Sequence, residues 1–338
     1  IKPRMSSQFP DVDIVALATK EATKHGLGVN SWTVTLHNSQ LAKAHPEAAV
    51  VNAYGDIDYN FLCGNNSDSR KFVIGLVRNL AERYELDAIQ LESAGYIWGL
   101  EHGDHHEMFG TQVEPFTSDL MSTCFCKSCA MKMEKEGLQP ESLRKMVKAA
   151  VDLSFDTPTN VLRRVPIEET LRNSYVLATD IEELYRLLRF KRATVNSLFE
   201  EVREALKLCN RDVELRIITA GGFSGGGSGV MGRGSEGLNL HDLAHIVDGI
   251  DFIDYVTEPE LVYYHVQWAK FEVGECPIYV ALRPSFPTLY TRESIEAEVV
   301  AAMEAGASGV EFYNYGWTGL RNLGWVKQSL ESASSRVS

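Results

Sequence analysis

Predicted strands and predicted helices alternate along most of this 338-residue chain, and this alternation limits the fold more than any other feature. Strands separated by crossover helices indicate parallel β/α units rather than hairpins. Six strands are predicted at 27–37, 86–93, 214–222, 251–258, 277–285 and 308–316, and 48–55 is a candidate for a seventh. Helices are predicted at 11–24, 70–83, 259–272, 292–305 and 320–333, and a helical insertion at 124–208.

The ends of the predicted strands favour a closed barrel over an open sheet. They carry polar and aromatic side chains, as barrel active sites require: His37, Glu92, Glu258, Arg283, Tyr315 and Trp317. No G-x-G-x-x-G motif opens a helix after an early strand, as a dinucleotide-binding sheet would need. We predict an α/β fold, a (β/α)8 TIM barrel, with a single catalytic domain over 1–338. Because a helix at 11–24 precedes every strand, we expect the first strand or strands upstream of residue 1.

Composition argues against several classes of partner. The formal net charge of −13 opposes binding to phosphate backbones and to anionic lipid, so neither nucleic acid nor a membrane is an expected partner. No run of 18 apolar residues and no signal peptide are visible, which favours the cytoplasm, although the chain opens at Ile1 without a Met. A homo-oligomer is compatible with the sequence, but no residue indicates one.

Three of the six cysteines form a C-x-C-x-x-C cluster at Cys124, Cys126 and Cys129. Thiolates at this spacing can share one metal ion, and Cys63 is the best candidate for the fourth ligand. Buried or free thiols without a metal are the alternative. Four thiolates around zinc would make a structural site, because no coordination position remains open for chemistry.

The order of short motifs resembles that of the zinc-cluster β-galactosidases of the TIM-barrel clan. The shared order runs "VTLH", "AHPEAAVVNAYG", "LCGNNSDSR", "LAERY", "AIQLES" and "CFCKSC", and "AGASGVEFYNYGW" resembles that family's last strand. The resemblance covers residues 11–137 well and 300–325 loosely. The chain is identified as similar to a divergent glycoside-hydrolase-like family rather than as a true β-galactosidase.

The resemblance implies a role for Glu92 and a zinc site. Glu92 matches the general acid/base at the end of the fourth strand, and the four cysteines match the zinc ligands. Two departures matter: Leu91 stands where the family has Asn, and the strand "IYVALRPSF" has no carboxylate where the family has its nucleophile. The family's two-glutamate mechanism therefore does not transfer whole.

Glycoside cleavage needs a second carboxylate beside the proton donor. Glu258, at the predicted end of "DYVTE", ranks ahead of Glu311 in "GVEFYNYG", and Asp254 is expected to be structural. A salt-bridged role at the barrel end is the alternative for Glu92 itself.

Other side chains at the predicted barrel mouth are candidate substrate contacts. The loop "LEHGDHHEMFG" holds three histidines, which bind metals or, when protonated, a substrate carboxylate. Arg283 could pair with an anionic substrate or with Glu92 or Glu258. The full set of substrate-binding candidates is His37, Asn38, His102, His105, His106, Arg283, Tyr315 and Trp317.

The leading hypothesis is a glycoside hydrolase that acts on a small carbohydrate or glycoside, with structural zinc and no organic cofactor. One alternative is a metal-dependent barrel isomerase or lyase that uses His102, His105 and His106. Another is a barrel that binds carbohydrate but has lost catalysis, which the missing carboxylate of the seventh strand favours. The glycine-rich segment 221–237 is interpreted either as a lid or as a surface loop.

Overall fold

The computed structural model describes residues 11–96, 120–156, 181–209, 211–220, 236–285, 288–289 and 291–337. The strands are β1 Asn30–Val34, β2 Ala49–Val51, β3 Ile57–Leu62, β4 Ala88–Glu92, β5 Glu214–Ala220, β6 Gly249–Ile253, β7 Ile278–Leu282 and β8 Gly309–Phe312. The helices are α1 Ile14–Lys24, α2 Ser39–Ala44, α3 Ser67–Arg83, α4 Lys127–Lys135, α5 Pro140–Asp156, α6 Glu182–Lys207, α7 Leu240–Leu243, α8 Pro259–Val273, α9 Arg292–Glu304 and α10 Leu320–Val337.

Local capping residues explain where several helices begin. The side chain of Asp13 caps α1, and that of Asn66 accepts two backbone N–H groups at the start of α3. Thr291 and Ser294 form a reciprocal capping box at α9. Pro259 occupies the first turn of α8, where its missing N–H costs nothing.

Six strands form one parallel sheet in the order β1-β4-β5-β6-β7-β8. The amide of Gln90 on β4 donates to Glu311 Oε1 on β8 at 2.8 Å, although three strands separate them in the sheet. The rings of Trp32 on β1 and Tyr313 beyond β8 lie 5.3 Å apart. The sheet is therefore strongly curled into a half-barrel, and within the described ranges no strand joins β1 to β8.

The register of the parallel strands separates two faces. Residues whose Cα atoms are paired in neighbouring strands have side chains on the same side of the sheet. The inner face accordingly carries Trp32, Gln90, Glu92, Arg216, Asp251, Tyr279 and Glu311. The opposite face carries buried apolar residues such as Ile89, Leu215 and Phe252, which pack in the core together with the helices.

Two predictions about strands are wrong. The segment 48–55 adds no strand to the parallel sheet, because β2 pairs antiparallel with β3 in a separate hairpin. Strand β6 ends at Ile253, and Glu258 is instead the N-cap of α8, because the following Pro259 favours a helix start.

The predicted helical insertion is helical in its described part, as α4, α5 and α6. No helix in the described ranges combines the length and hydropathy needed to span a bilayer.

Candidate functional site

Glu92 lies on the inner face at the carboxyl end of β4, half-buried and beside Trp32. The indole Nε1 of Trp32 donates to Glu92 Oε2, and the Ser93 hydroxyl lies 3.4 Å from Oε1. The backbone carbonyl of Glu92 accepts from both the N–H and the hydroxyl of Thr35, at 3.0 and 2.7 Å. Both the carboxylate and the backbone of Glu92 are thus held by β1 and the residues that follow it.

A polar layer lies deeper on the inner face, one pleat below Glu92. Glu311 accepts the hydrogen bond from Gln90, and Asp251 is 1% exposed. Burial, and then the charge of Glu311, raises the pKa of Asp251 to about 7, and burial also raises the pKa of Glu311. The nearest described cation is Arg216, whose Nη1 is 3.6 Å from Asp251 Oδ1. Two carboxyl groups therefore share a space where both cannot easily be ionised.

Arg216 is held in place from two sides. Its guanidinium stacks on the ring of Tyr279 at 3.8 Å and donates to Glu214 Oε2 at 2.8 Å through Nε. A Cβ at Gly249 or at Gly309 would come within 3.0 or 3.1 Å of that ring. The two glycines thus leave room for the Tyr279 ring on the inner face.

An aromatic wall rises beside Glu92 at the carboxyl ends of β6 and β8. The ring of Tyr313 lies 5.9 Å from Tyr255 and 5.7 Å from Trp317, as well as 5.3 Å from Trp32. Burial, and then Tyr313, raises the pKa of Tyr255, while Arg283 lies over the Tyr255 ring at 4.7 Å. Trp32 remains 38% exposed, so the wall is open to solvent. An aromatic surface with a few convergent polar groups is the usual make-up of a small-molecule site.

Several sequence-predicted residues are engaged elsewhere. His37 stacks on Phe61 at 4.4 Å, and the Asn38 side chain caps α2. Glu258 is exposed, and its Oε2 accepts from the Thr257 amide. Arg283 Nε donates to the Thr288 hydroxyl at 2.8 Å while the guanidinium stays on the aromatic wall.

The remaining predicted contacts divide into two groups. Tyr315 and Trp317 lie beyond β8 and are 77% and 73% exposed. His102, His105 and His106 lie outside the described residues, as does most of the glycine-rich segment 221–237.

The structure brings together the four cysteines that the sequence places in one group. Each offers a sulfur, and the four sulfurs lie within 4.8 Å of one another in a fully buried setting. Cys63 follows β3, while Cys124, Cys126 and Cys129 lie at the start of α4. The neighbouring thiols, Cys124 first, lower the pKa of Cys126 far below its ordinary value.

Backbone and side-chain N–H groups point at these sulfurs. The backbone N–H of Asn65 donates to Cys63 Sγ at 3.4 Å, and the side-chain Nδ2 of Asn65 donates to Cys129 Sγ at 3.3 Å. Four convergent sulfurs with N–H donors around them suit a soft metal ion bound by thiolates. This group could therefore hold a metal ion.

Sequence reasoning missed five inner-face residues: Trp32, Gln90, Arg216, Asp251 and Tyr279. A signal was present for two of them, since Asp251 and Arg216 are isolated charges within the otherwise apolar strands "GIDFI" and "LRIIT". Such charges are rarely buried unless they are paired or functional. Gln90 lies two residues before Glu92, which places both on one face of a strand.

No family model and no curated protein matches the sequence. Solved structures do match. Alpha-L-fucosidase isoenzyme 2 from Paenibacillus thiaminolyticus has a TM-score of 0.58 at 13% identity, over 96% of this chain and 40% of the fucosidase. Beta-galactosidases from Halorubrum lacusprofundi and Marinomonas ef1 have TM-scores of 0.59 and 0.56, each at 12% identity over 97% of this chain and 52% of theirs. The chain thus shares the fold of part of these enzymes and spans about half their length.

Proposed function

We propose that the protein is a glycoside hydrolase in which Glu92 protonates the leaving oxygen and Glu311 is the second carboxylate. The observation that carries the proposal is the shared inner face of these two groups. Gln90 contacts Glu311 from β4, the strand that ends in Glu92, and the Trp32–Tyr313 pair brings the neighbouring edge strand β1 close to the end of β8. A glycosidase needs two carboxyl groups that face one bond.

Two observations support Glu311 over Glu258 as the second carboxylate. Glu311 lies on the same face as Glu92, whereas Glu258 is exposed at the start of α8 and accepts from a neighbouring amide. The raised pKa of Asp251 keeps a proton on that group near neutral pH, and the hydrogen bond from Gln90 opposes the rise that burial causes in the pKa of Glu311. Glu311 would then act as the ionised partner of a protonated acid.

The aromatic wall supports a sugar as the substrate. Tyr313, Tyr255 and the exposed Trp32 offer ring faces beside Glu92, and the C–H face of a pyranose packs against such rings. The structurally similar enzymes are named for fucosides and galactosides. Aryl α-L-fucosides and β-D-galactosides are therefore the first substrates to assay.

We propose zinc as the ion held by Cys63, Cys124, Cys126 and Cys129. Four thiolates satisfy the tetrahedral preference of zinc and leave no position open, so the ion would stabilise the fold rather than take part in the reaction. Cys63 and Cys124 are 61 positions apart in the sequence, so one ion would join the β2–β3 hairpin to α4.

The proposal predicts different kinetic defects for the two carboxylates. We expect Glu92→Gln to lower kcat by about 10²- to 10⁴-fold on a glycoside with a poor leaving group and much less on an activated aryl glycoside. Glu311→Gln should slow both substrates alike, because its role does not depend on the leaving group. The control Glu258→Gln should retain activity.

Two results would contradict this assignment. Unchanged turnover in Glu92→Gln would remove it as the acid, and a severe defect in Glu258→Gln with a mild one in Glu311→Gln would reverse the choice of second carboxylate. Sugar binding without cleavage by the wild-type protein would instead favour a binding protein. The anomer first formed, observed by NMR, reports whether the carboxylates are spaced for retention or inversion.

A further inference from the structure

A chain of hydrogen bonds links the cysteine group to the segment that follows Glu92. Asn65 Nδ2 lies 3.3 Å from Cys129 Sγ and 3.0 Å from the hydroxyl of Tyr96. Tyr96 is four residues beyond Glu92 and is 3% exposed. A single amide group therefore contacts both a candidate metal ligand and the loop 93–96, which we call the Glu92 loop.

The orientation of the Asn65 amide is determined by its other partners. Its Oδ1 accepts from the Thr194 hydroxyl at 3.1 Å and from the Lys132 ammonium at 3.0 Å. The Lys132 ammonium can only donate, so Oδ1 must face it and the NH₂ group must face the sulfur and the tyrosine hydroxyl. The contact is thus specific to an asparagine in this orientation.

The Glu92 loop has little room to adopt another path. The Tyr96 amide donates to the Glu236 carbonyl at 2.8 Å, and a Cβ at Gly95 would lie 2.8 Å from that same carbonyl. Ser93 has a positive φ of 57°, which turns the chain sharply after Glu92. The Lys191 ammonium lies 5.3 Å from the Tyr96 ring and donates to Ser122 at 2.9 Å.

We propose that Asn65 and Tyr96 couple the four-cysteine site to the Glu92 loop, so that metal occupancy controls the order of this loop. A bound metal would fix the position of Cys129 Sγ, and with it the hydrogen bond that Asn65 Nδ2 donates to that sulfur at 3.3 Å. Loss of the metal weakens that bond and, through Asn65, the bond to Tyr96. Coupling of this kind is reciprocal, so an ordered loop must also strengthen metal binding.

This inference makes Asn65 and Tyr96 positioning residues for Glu92, and in that respect it rests on the proposed function. The coupling between the metal site and the loop does not depend on any catalytic role of Glu92. It can therefore be tested without a substrate.

The test compares wild-type protein with Tyr96→Phe, both loaded with zinc, by hydrogen–deuterium exchange. The variant removes one hydroxyl and keeps the buried ring. We expect the amides of the Glu92 loop to exchange about fivefold faster in Tyr96→Phe, as the loss of one buried hydrogen bond predicts. The matched control is Tyr84→Phe, which loses a hydroxyl hydrogen bond of the same 3.0 Å length, to Asp13. That control should leave exchange in the Glu92 loop at the wild-type rate.

Reciprocity gives a second readout, because Tyr96→Phe should also release zinc more readily to a competing chelator, by about the same fivefold factor. The inference would be overturned if the Glu92 loop amides of Tyr96→Phe exchanged at the wild-type rate. It would also be overturned by a uniform rise across all strands, which would indicate general destabilisation, or by unchanged zinc affinity in the variant.

If wild-type protein cleaves glycosides, Tyr96→Phe should lower kcat more than it changes KM, since Tyr96 does not touch the substrate space. A coupled loop without any glycosidase activity would leave this inference standing and remove the proposed function. Glycosidase activity without coupling between the cysteine group and the Glu92 loop would remove this inference and leave the proposed function standing.

Discussion

At the residue scale, the inner face is unusual because it places the buried Asp251, the half-buried Glu311 and the Arg216 guanidinium in a small space. Asp251 lacks a hydrogen-bond partner for either oxygen among the described residues, and its nearest described cation stays at 3.6 Å. A buried carboxyl without donors is costly when it is charged. Such residues are expected where a site needs a proton near neutral pH rather than where it needs stability.

The raised pKa of Asp251 predicts how stability depends on pH. Its folded value of about 7 lies above the ordinary 3.8, so the folded protein binds the proton more tightly than the unfolded chain does. The contribution of the Asp251 proton to the free energy of unfolding is fully present below pH 3.8 and is lost as pH rises through 7. Relative to wild type, Asp251→Asn should gain about 2 kcal/mol in the free energy of unfolding between pH 5 and pH 8.

Urea unfolding at the two pH values measures this gain. Asp212→Asn, at an exposed position before β5, is the control and should show no such change. An equal pH dependence in wild type and Asp251→Asn would mean that Asp251 is already ionised in the fold at pH 5.

At the scale of elements, a second polar cluster lies outside the inner face, between β6 and helices α8 and α9. His265 on α8 contacts both carboxylate oxygens of Asp254 at 3.0 Å, and both residues are buried. Glu298 on α9 is fully buried, and neither of its oxygens has a described partner. The expectation that Asp254 is structural agrees with this position behind the sheet. The cluster makes the packing of α8 against α9 sensitive to protonation.

Glu298 supplies the prediction at this scale. Burial, followed by the charges of Asp254 and Glu258, raises the pKa of Glu298 from 4.5 to about 8. The folded state is therefore most favoured below pH 4.5, and the contribution is lost as pH rises through 8. Glu298→Gln should stabilise the protein by about 3 kcal/mol more at pH 8 than at pH 5, measured from thermal unfolding curves.

Glu304→Gln, at the exposed end of the same helix, provides the comparison and should be neutral at both pH values. Glycosidase activity at a fixed pH should not change in Glu298→Gln, because the cluster lies behind the sheet. A loss of activity equal to that of Glu311→Gln would show that the two clusters are not independent.

At the scale of the whole molecule, the sequence predicts what is local and misses what depends on curling. Alternation and helical spacing locate all six strands of the sheet, because each pattern reports only its own segment. The contact between Gln90 and Glu311 joins residues 221 positions apart and exists only because the sheet curls. The sequence pattern therefore pointed to Glu92 and included Glu311 among the candidates, whereas Arg216 and Asp251 went unrecognised within their apolar strands.

The same distinction explains the error at 48–55. The segment "AAVVNAYG" has strand composition, but composition does not specify whether a strand joins the sheet or pairs locally. The cysteine group was predictable because three of its four members are close in sequence, and the C-x-C-x-x-C spacing is a local pattern.

Cys63 and α4 lie far apart in the chain, so a metal ion shared by the four cysteines should contribute to the stability of the whole molecule. An ion that binds only the folded state stabilises it by about 2.7 kcal/mol at one hundred times its dissociation constant. We expect Cys124→Ser to abolish zinc binding, measured as moles of zinc per chain, and to lower Tm. Wild-type protein treated with a strong chelator should fall to a similar Tm.

The control Cys209→Ser alters a half-buried thiol outside the group and should keep both the zinc and the Tm. If Cys124→Ser and wild type contain no zinc and melt alike with and without added metal, the four buried thiols are a packing cluster. In that case the order of the Glu92 loop would have to arise from the protein contacts alone.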